Sequence, residues 1–558
     1  MRNLSSPPRT GARGVGPRTT QAPARVPLER RRASLWQWAR IALAAGALVC
    51  LILAFTTPAP RTGPPKVASP VVVNATDPDR PLVRSNEAPG VLVDRRDGRT
   101  VYLSQVDLAS GECRFYVSLD RGRTWTREQA PRLPPYTESC AFGSGQPQSI
   151  RTELKQSPDG TLFWVFSAND PSAGGSRSVL LARSTDGGRS WRTTVVAAGA
   201  PGNSPTEAQL NFQAHVAVDE NHPERVYVMW RRTSPPLEGV GFRASQPYMA
   251  ASSNGGASFS SPSQLFDVSL GTDGPRPLVV GNDLFAFYQE ARPPLPVNDP
   301  SPTPTPPQAR LLAAVSADGG RTWSRSEIAA ARDLSEAVPA YDSKRKQLYV
   351  VWHDNRRDEL DVYFASSRDG RAWSEPKLLN DDQRGTRVGQ HFPQISLSRS
   401  GRIDVAWYDW RDDPFPAPAV GGGNVLTTFG NRGKLASVYL TSSSDGGKTW
   451  IRNVRVNDVP IDRTIGTWAN NYDVLAPPAL TSWMNGAVVA WSDTRLGTAE
   501  SQSQDIVTAT VTFGDERGRR ITGLQAALVG ALFGAALTVW AIVLVLRRRA
   551  GPAGRLRT

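Results

Sequence analysis

Four short stretches place an acid and an arginine at one fixed offset behind an aromatic residue: YQEAR (288–292), WHDNR (352–356), WYDWR (407–411) and WSDTR (491–495). They couple Glu290 with Arg292, Asp354 with Arg356, Asp409 with Arg411 and Asp493 with Arg495. Two chemistries fit. A ring of guanidiniums around a pocket would grip a carboxylate-bearing sugar, because the planar fork matches a carboxylate in two parallel bonds. A pair that recurs at equivalent positions also suits an architectural task, bridging an acid to a nearby arginine or to strand ends. Catalysis, by contrast, needs different residues in different repeats. The histidines (His215, His222, His353, His391) show no metal-ligand spacing, and His353 and His391 read as loop or surface residues. No glycine pattern for phosphates or dinucleotides occurs between a strand and a helix, so neither metal nor cofactor is expected.

What positions these pairs is a repeat. Each closes a run rich in aromatic and β-branched residues, such as QLYVVW (347–352), IDVAWY (403–408) and AVVAWS (487–492). After each of the first three pairs comes a second alternating run and then a turn, one of a recurring set: SLDRGRTW (118–125), STDGGRSW (184–191), SADGGRTW (316–323) and SSDGGKTW (443–450), with weaker copies SSNGGASF (252–259) and SRDGRAW (367–373). A Ser and an Asp two apart satisfy backbone groups of a tight bend. The glycines accept positive φ, and the closing aromatic packs beneath. The structural residues are thus Ser118, Asp120 and Trp125; Ser184, Asp186 and Trp191; Ser316, Asp318 and Trp323; Asp369 and Trp373; and Ser443, Asp445 and Trp450.

Starts at 118, 184, 252, 316, 367 and 443 give a period of propeller size. Each unit reads as three strands, the turn and a fourth strand, with helical periodicity nearly absent between 70 and 513. The expected fold is all-β, a β-propeller of four-stranded blades, seven favoured and six the alternative. The seventh unit (472–513) has three strands, and VVVNAT (71–76) is placed to supply the fourth. The turns fall on one face. The acid–Arg pairs fall on the other, with the long insertions 233–246, 293–308, 416–434 and 497–504, which marks that face as the working surface.

The turn S-x-D-x-G-x-T-W resembles the Asp box, or BNR repeat, of the sialidase superfamily, and the resemblance spans about 70–513. It implies a propeller and, in the enzymes, three arginines on the substrate carboxylate, a Tyr nucleophile beside a Glu, and an Asp acid/base. The family's F/Y-R-I-P arginine stretch is missing here. The nearest early text, VLVDRRDGR (91–99) with Asp94 and Arg95, does not replace it, and Tyr288, Tyr408 and Tyr472 are equivalent candidates for a nucleophile.

Charge excludes one class of partner. The net charge of +14 resides in the tails: residues 1–40 hold nine Arg and one acid, 547–558 hold five Arg and no acid, and 41–546 hold 51 basic against 50 acidic residues. No groove for nucleic acid is expected. The reading by region is a basic cytoplasmic tail, disordered (1–34); a transmembrane helix or signal anchor (35–57), with a cleaved signal peptide the other possibility; a Pro-rich linker (58–70); the sialidase-like propeller (71–513); a linker (514–523); a transmembrane helix (524–546) closed by Arg547–Arg549; and a basic cytoplasmic tail (547–558). The partners are then the lipid bilayer, through one or two transmembrane helices, and a carbohydrate or protein ligand. The location is the plasma membrane, with both termini cytoplasmic and the propeller extracytoplasmic. A Cys113–Cys140 disulfide suits that compartment. The expected function is recognition of a glycan, cell-surface component or protein; the alternative is an exo-glycosidase of sialidase type with a diverged active site.

Overall fold

The computed structural model describes residues 64–514, with breaks at 78–85, 108–111, 133–152, 170–175, 202–208, 234–244, 269–270, 292–308, 336, 358–359, 383–388, 415–434 and 467–475, together with Ile542 and Leu546. Strands dominate. Among the described residues only Ile542 and Leu546 are helical, and no helix is long and apolar enough to cross a membrane. The two expected spans otherwise lie outside the described residues.

Antiparallel strands group into seven units, 86–128, 153–197, 210–264, 276–331, 338–378, 390–455 and 479–512. Within a unit the strands pair in chain order. The second and third units are further joined through a parallel step, Leu210 opposite Arg177. The seventh unit has three strands of its own (Ala479–Trp483, Gly486–Asp493, Asp505–Thr512) and borrows the rest. Val71–Val72 pairs with Thr508 and Val507, and Lys66–Val67 pairs with Thr512 and Val511. The expected linker is therefore shortened, since its last residues already lie on the sheet edge.

The second strands explain the unbroken apolar runs. In Gln347–Asp354, Leu348, Val350 and Trp352 pack toward the fourth unit, while Tyr349 and Val351 pack toward the sixth. Successive side chains point to opposite faces, so a strand covered on both faces must be apolar throughout. Leu162, Trp164 and Phe166 face the first unit in the same way, and Phe163 and Val165 face the third. Trp164, Trp230, Trp352, Trp407 and Trp491 are sealed from solvent, each contributing about 2–3 kcal/mol by burial.

Every apolar layer lies between consecutive units, and one joins the last to the first. Val91, Val101, Leu103 and Tyr116 meet Ala479, Val488, Ala490 and Ile506 there. The first strands, 86–93, 153–156, 210–218, 276–280, 338–342, 390–397 and 479–483, touch one another in that order, and 479–483 touches 86–93. Polar bonds cross the last seam as well, Val93 N donating to Thr481 Oγ1 (3.0 Å) and Trp125 Nε1 to Thr508 Oγ1 (3.1 Å), while Asn74 Nδ2 ties the borrowed strand to Asp505 Oδ1 (2.6 Å).

Candidate functional site

The recurring turns share one hydrogen-bond pattern. In 184–191 the Ser184 hydroxyl donates to Asp186 Oδ1 (2.8 Å) and accepts from Gly188 N (2.8 Å). Asp186 in turn accepts from Ser190 N and Oγ. Those bonds from Ser190 hold the Asp186 carboxyl down at about 2. Ser118/Asp120, Ser316/Asp318 and Ser443/Asp445 repeat the pattern, and Ser367/Asp369 does so one residue shorter. In the weak copy Asn254 stands in for the acid, its Oδ1 accepting from Ser258 N at 3.0 Å. The second glycine of each full turn presses on the preceding unit. A Cβ on Gly188, at φ +89°, would lie 2.2 Å from Phe115, and one on Gly447 would lie 2.5 Å from Phe364. The turns are therefore clasps between neighbours.

The acid–Arg pairs repeat just as closely. Trp352 Nε1 donates to Asp354 Oδ2 (2.7 Å), Arg356 N to Oδ1 (3.0 Å) and Arg356 Nη2 to Oδ2 (2.6 Å). Trp407, Asp409 and Arg411 form the same figure, as do Trp491, Asp493 and Arg495. All three carboxylates are buried. Burial lifts the Asp409 carboxyl above its ordinary value against the pull of Arg411. Arg411 and Arg495 spend further donors on Asp381 (2.6 Å) and Asp458 (3.0 Å). Glu290 departs from the pattern: its carboxylate accepts from Arg310 on the adjacent strand (3.1 Å), while Arg292 lies outside the described residues.

The third unit breaks the repeat, and sequence reading passed over it. Its second strand ends Trp230-Arg231-Arg232-Thr233 where the fifth, sixth and seventh units read Trp-x-Asp-x-Arg. Asn211, from the neighbouring strand, takes over the acid's bonds, accepting from Trp230 Nε1 (2.8 Å) and Arg232 Nε (3.0 Å). Two guanidiniums then converge on one ring, Arg177 at 4.6 Å and Arg231 at 5.4 Å from the Phe212 centroid. Arg231 lies 3.5 Å from Asp273. Burial and the charge of Arg231 pull Arg177 down to about 9, which records two like charges held close together. Arg232 lies 4.1 Å over the Tyr248 ring. The missing acid after Trp230 was the available signal.

A second concentration of charge lines a cavity of about 850 Å³ bounded by all seven first strands. Glu153 Oε2 contacts His215 Nδ1 (3.2 Å) and accepts from Val216 N (3.1 Å), while Oε1 pairs with Lys155 (2.9 Å). Burial would raise this carboxyl, but Lys155, His215 and Arg276 hold it well below the usual range. The bond to Val216 N serves the irregular register between Phe212 and His215, where Gln213 sits at φ +48°. Glu220, also on the cavity wall, is held by Arg95 in two bonds of 2.7 Å. None of the seven described residues expected to bind ligand lines this cavity.

The reading of two histidines as loop or surface residues meets a correction. His353 and His391 are buried strand residues with ring centroids 5.1 Å apart, and His353 Nδ1 accepts from Phe392 N at the bulge of the sixth unit. Tyr288 and Tyr408 are fully buried, and burial pushes the Tyr288 phenol up to about 12; Tyr472 lies outside the described residues. Cys113 is in a disulfide, and Cys140 lies outside the described residues. Among the described residues no group of His, Cys, Asp and Glu is arranged to hold a metal ion.

Residues 306–405 match the family model described as a BNR repeat-like domain, a segment that includes the turns at 316 and 367. No curated protein matches the chain in sequence. Similar solved structures include the Hadza microbial sialidase Hz136 (15% identity, 75% of this chain and 76% of that one, TM-score 0.40), an α-L-arabinanase of Penicillium chrysogenum (12%, 80% and 99%, 0.40) and the NanB sialidase of Streptococcus pneumoniae (10%, 74% and 83%, 0.39). Scores this low carry no ligand across to this chain. Residues 306–405 thus carry a BNR repeat-like domain, and the same clasp turn recurs outside that segment at 118, 184 and 443.

Proposed function

We propose that the chain is a membrane-anchored, extracytoplasmic seven-bladed β-propeller that recognises an acidic group on a glycan or protein partner without cleaving it. The observation that carries this is the broken repeat of the third unit. Where three other units close their arginine onto a buried acid, here Arg177 of the second unit and Arg231 of the third come together over Phe212, with Asp273 3.5 Å from Arg231. Two guanidiniums held this close gain from a carboxylate, sulfate or phosphate between them. The uniform Asp/Arg pairs are architecture on this reading.

Cleavage is the less favoured reading, for a chemical reason. Glu153 is held ionised, so it is no proton donor at neutral pH, and Glu220 is engaged by Arg95. Tyr288 and Tyr408 are sealed inside. Anchoring follows from the apolar segments 35–57 and 524–546, each flanked by arginines. The test uses the full chain on immobilised acidic glycans (sialosides, uronates, sulfated sugars) and their neutral counterparts. Acidic sugars should be retained, with retention lost in Arg231→Ala and kept in Arg356→Ala. Hydrolysis of fluorogenic sialosides by the wild type would favour the glycosidase instead. Equal retention of neutral sugars would end the acidic-ligand reading.

A further inference from the structure

Strand direction fixes where the chain enters and leaves its seventh unit. Thr512 pairs with Gly486, at the end of the sheet where first and second strands turn, and Lys66 pairs with Thr512. Ser367, the first residue of a clasp turn, pairs in the same way with Leu348 at the start of its second strand. Both chain exits therefore lie at the clasp end of the units, opposite the Asp/Arg pairs. Only residues 58–65 and 513–523 separate those exits from the two apolar segments. At about 3.5 Å per extended residue, neither connection exceeds about 40 Å.

The surface at that end is basic and locally apolar. The clasp turns alone expose Arg121, Arg123, Arg189, Arg321, Arg371 and Lys448, while their carboxylates are spent on turn amides and hydroxyls. The 342–347 hairpin adds Lys344 and Lys346. Of the acids at this end, Glu220 is paired with Arg95 and Asp97 accepts from Thr100, while half-exposed Glu224 lies 3.5 Å from His222. Leu119 and Met484 stand 66% and 60% exposed. They flank the seam where the chain exits, tied together by Thr510 Oγ1 donating to Arg121 O and by Arg121 lying 5.6 Å over the Trp483 ring.

We propose that the clasp end rests on an anionic lipid surface, with Leu119 and Met484 at headgroup depth and the turn cations on lipid phosphates, leaving the Arg177/Arg231 face directed away from the membrane. The proposal rests on the membrane anchoring above. Short tethers hold this end near the bilayer, and cations within a Debye length of anionic headgroups are attracted to them. Two exposed apolar side chains match the shallow insertion of interfacial residues.

The test reconstitutes the full chain in nanodiscs carrying a headgroup nitroxide, with or without an anionic phospholipid, and a fluorescent noncanonical residue at position 119 or 499. Ala499 is exposed at the loop end. Fluorescence at 119 should be quenched and at 499 not. Quenching at 119 should fall when the anionic lipid is omitted, when salt is raised, and in Arg123→Glu/Arg189→Glu/Arg321→Glu. Equal quenching at both positions, or more at 499, in chains retained by the nanodisc overturns the orientation alone. Chains that leave the nanodisc on a high-salt wash overturn the anchoring reading, and the orientation with it.

Discussion

Arg402 and Asp404 form a buried knot between the sixth and seventh units, and breaking it should cost more than replacing it. Asp404 accepts from Arg402 Nε and Nη2 (both 2.8 Å), Ser442 Oγ (2.6 Å) and Ser482 Oγ (2.7 Å). Arg402 also donates to the carbonyls of Trp483, Met484 and Gly486, and its guanidinium lies 3.8 Å over the Phe513 ring. Arg402→Ala strands a buried carboxylate and three carbonyls, an effect on the order of 3–5 kcal/mol for loss of one partner in a buried pair. For a cooperative unit of roughly 400 residues, at about 2 cal/mol/K per residue, that is a Tm lower by about 4–6 °C. The apolar double replacement Arg402→Met/Asp404→Leu removes both charges, and it should recover most of that loss. Differential scanning calorimetry of wild type, single and double variants at neutral pH reads the difference. A double variant no more stable than Arg402→Ala would refute the reasoning, because the cost would then lie in packing and not in the stranded charge.

Val73→Pro removes the bond from Val73 N to Ile506 O (2.9 Å) and should speed amide exchange across 505–512 more than across 347–354. Gly188→Ala, at φ +89° with Phe115 at 2.2 Å, should lower stability by about 2–3 kcal/mol in denaturant titration, more than Gly98→Ala, which meets nothing within 4 Å. The clasp carboxyls bear on acid stability. Asp186 titrates at about 2 in the folded chain, and Asp120, Asp369 and Asp445 are also held low. Lowered folded values mean stabilisation that is complete above pH ~4 and lost as pH falls toward 2, and Asp186→Asn should flatten the stability–pH curve over that window.

The clasp turns were legible because their chemistry is local: Ser184, Asp186, Gly188 and Trp191 satisfy one another within eight residues. The all-β reading followed from the same repeat. The strand borrowed from 71–76 was foreseen from a missing partner, whereas Lys66–Val67 was hidden in Pro-rich text. The Asp/Arg pairs were visible, yet their closed geometry was not, because burial of Asp354 depends on neighbours distant in sequence. Arg177 and Arg231 escaped notice because their proximity runs through Phe212, on a strand between them. Glu153 and His215 were invisible for a related reason: a side chain repairing a bulge in the next strand leaves no periodic trace.

The sheet that unites Val71–Val72 with Asp505–Thr512 has a consequence for biogenesis. Its strands come from opposite extremes of the folding region, so the last unit cannot be assembled until translation has passed residue 512. Until then Val91 and Val93 of the first unit lack the cover that Ala479, Val488 and Ile506 give them, and a second nascent copy could lodge its own 479–512 there. Exchange of that segment between copies is the assembly error to which this architecture is most exposed, and a slow release of the final strands would favour it.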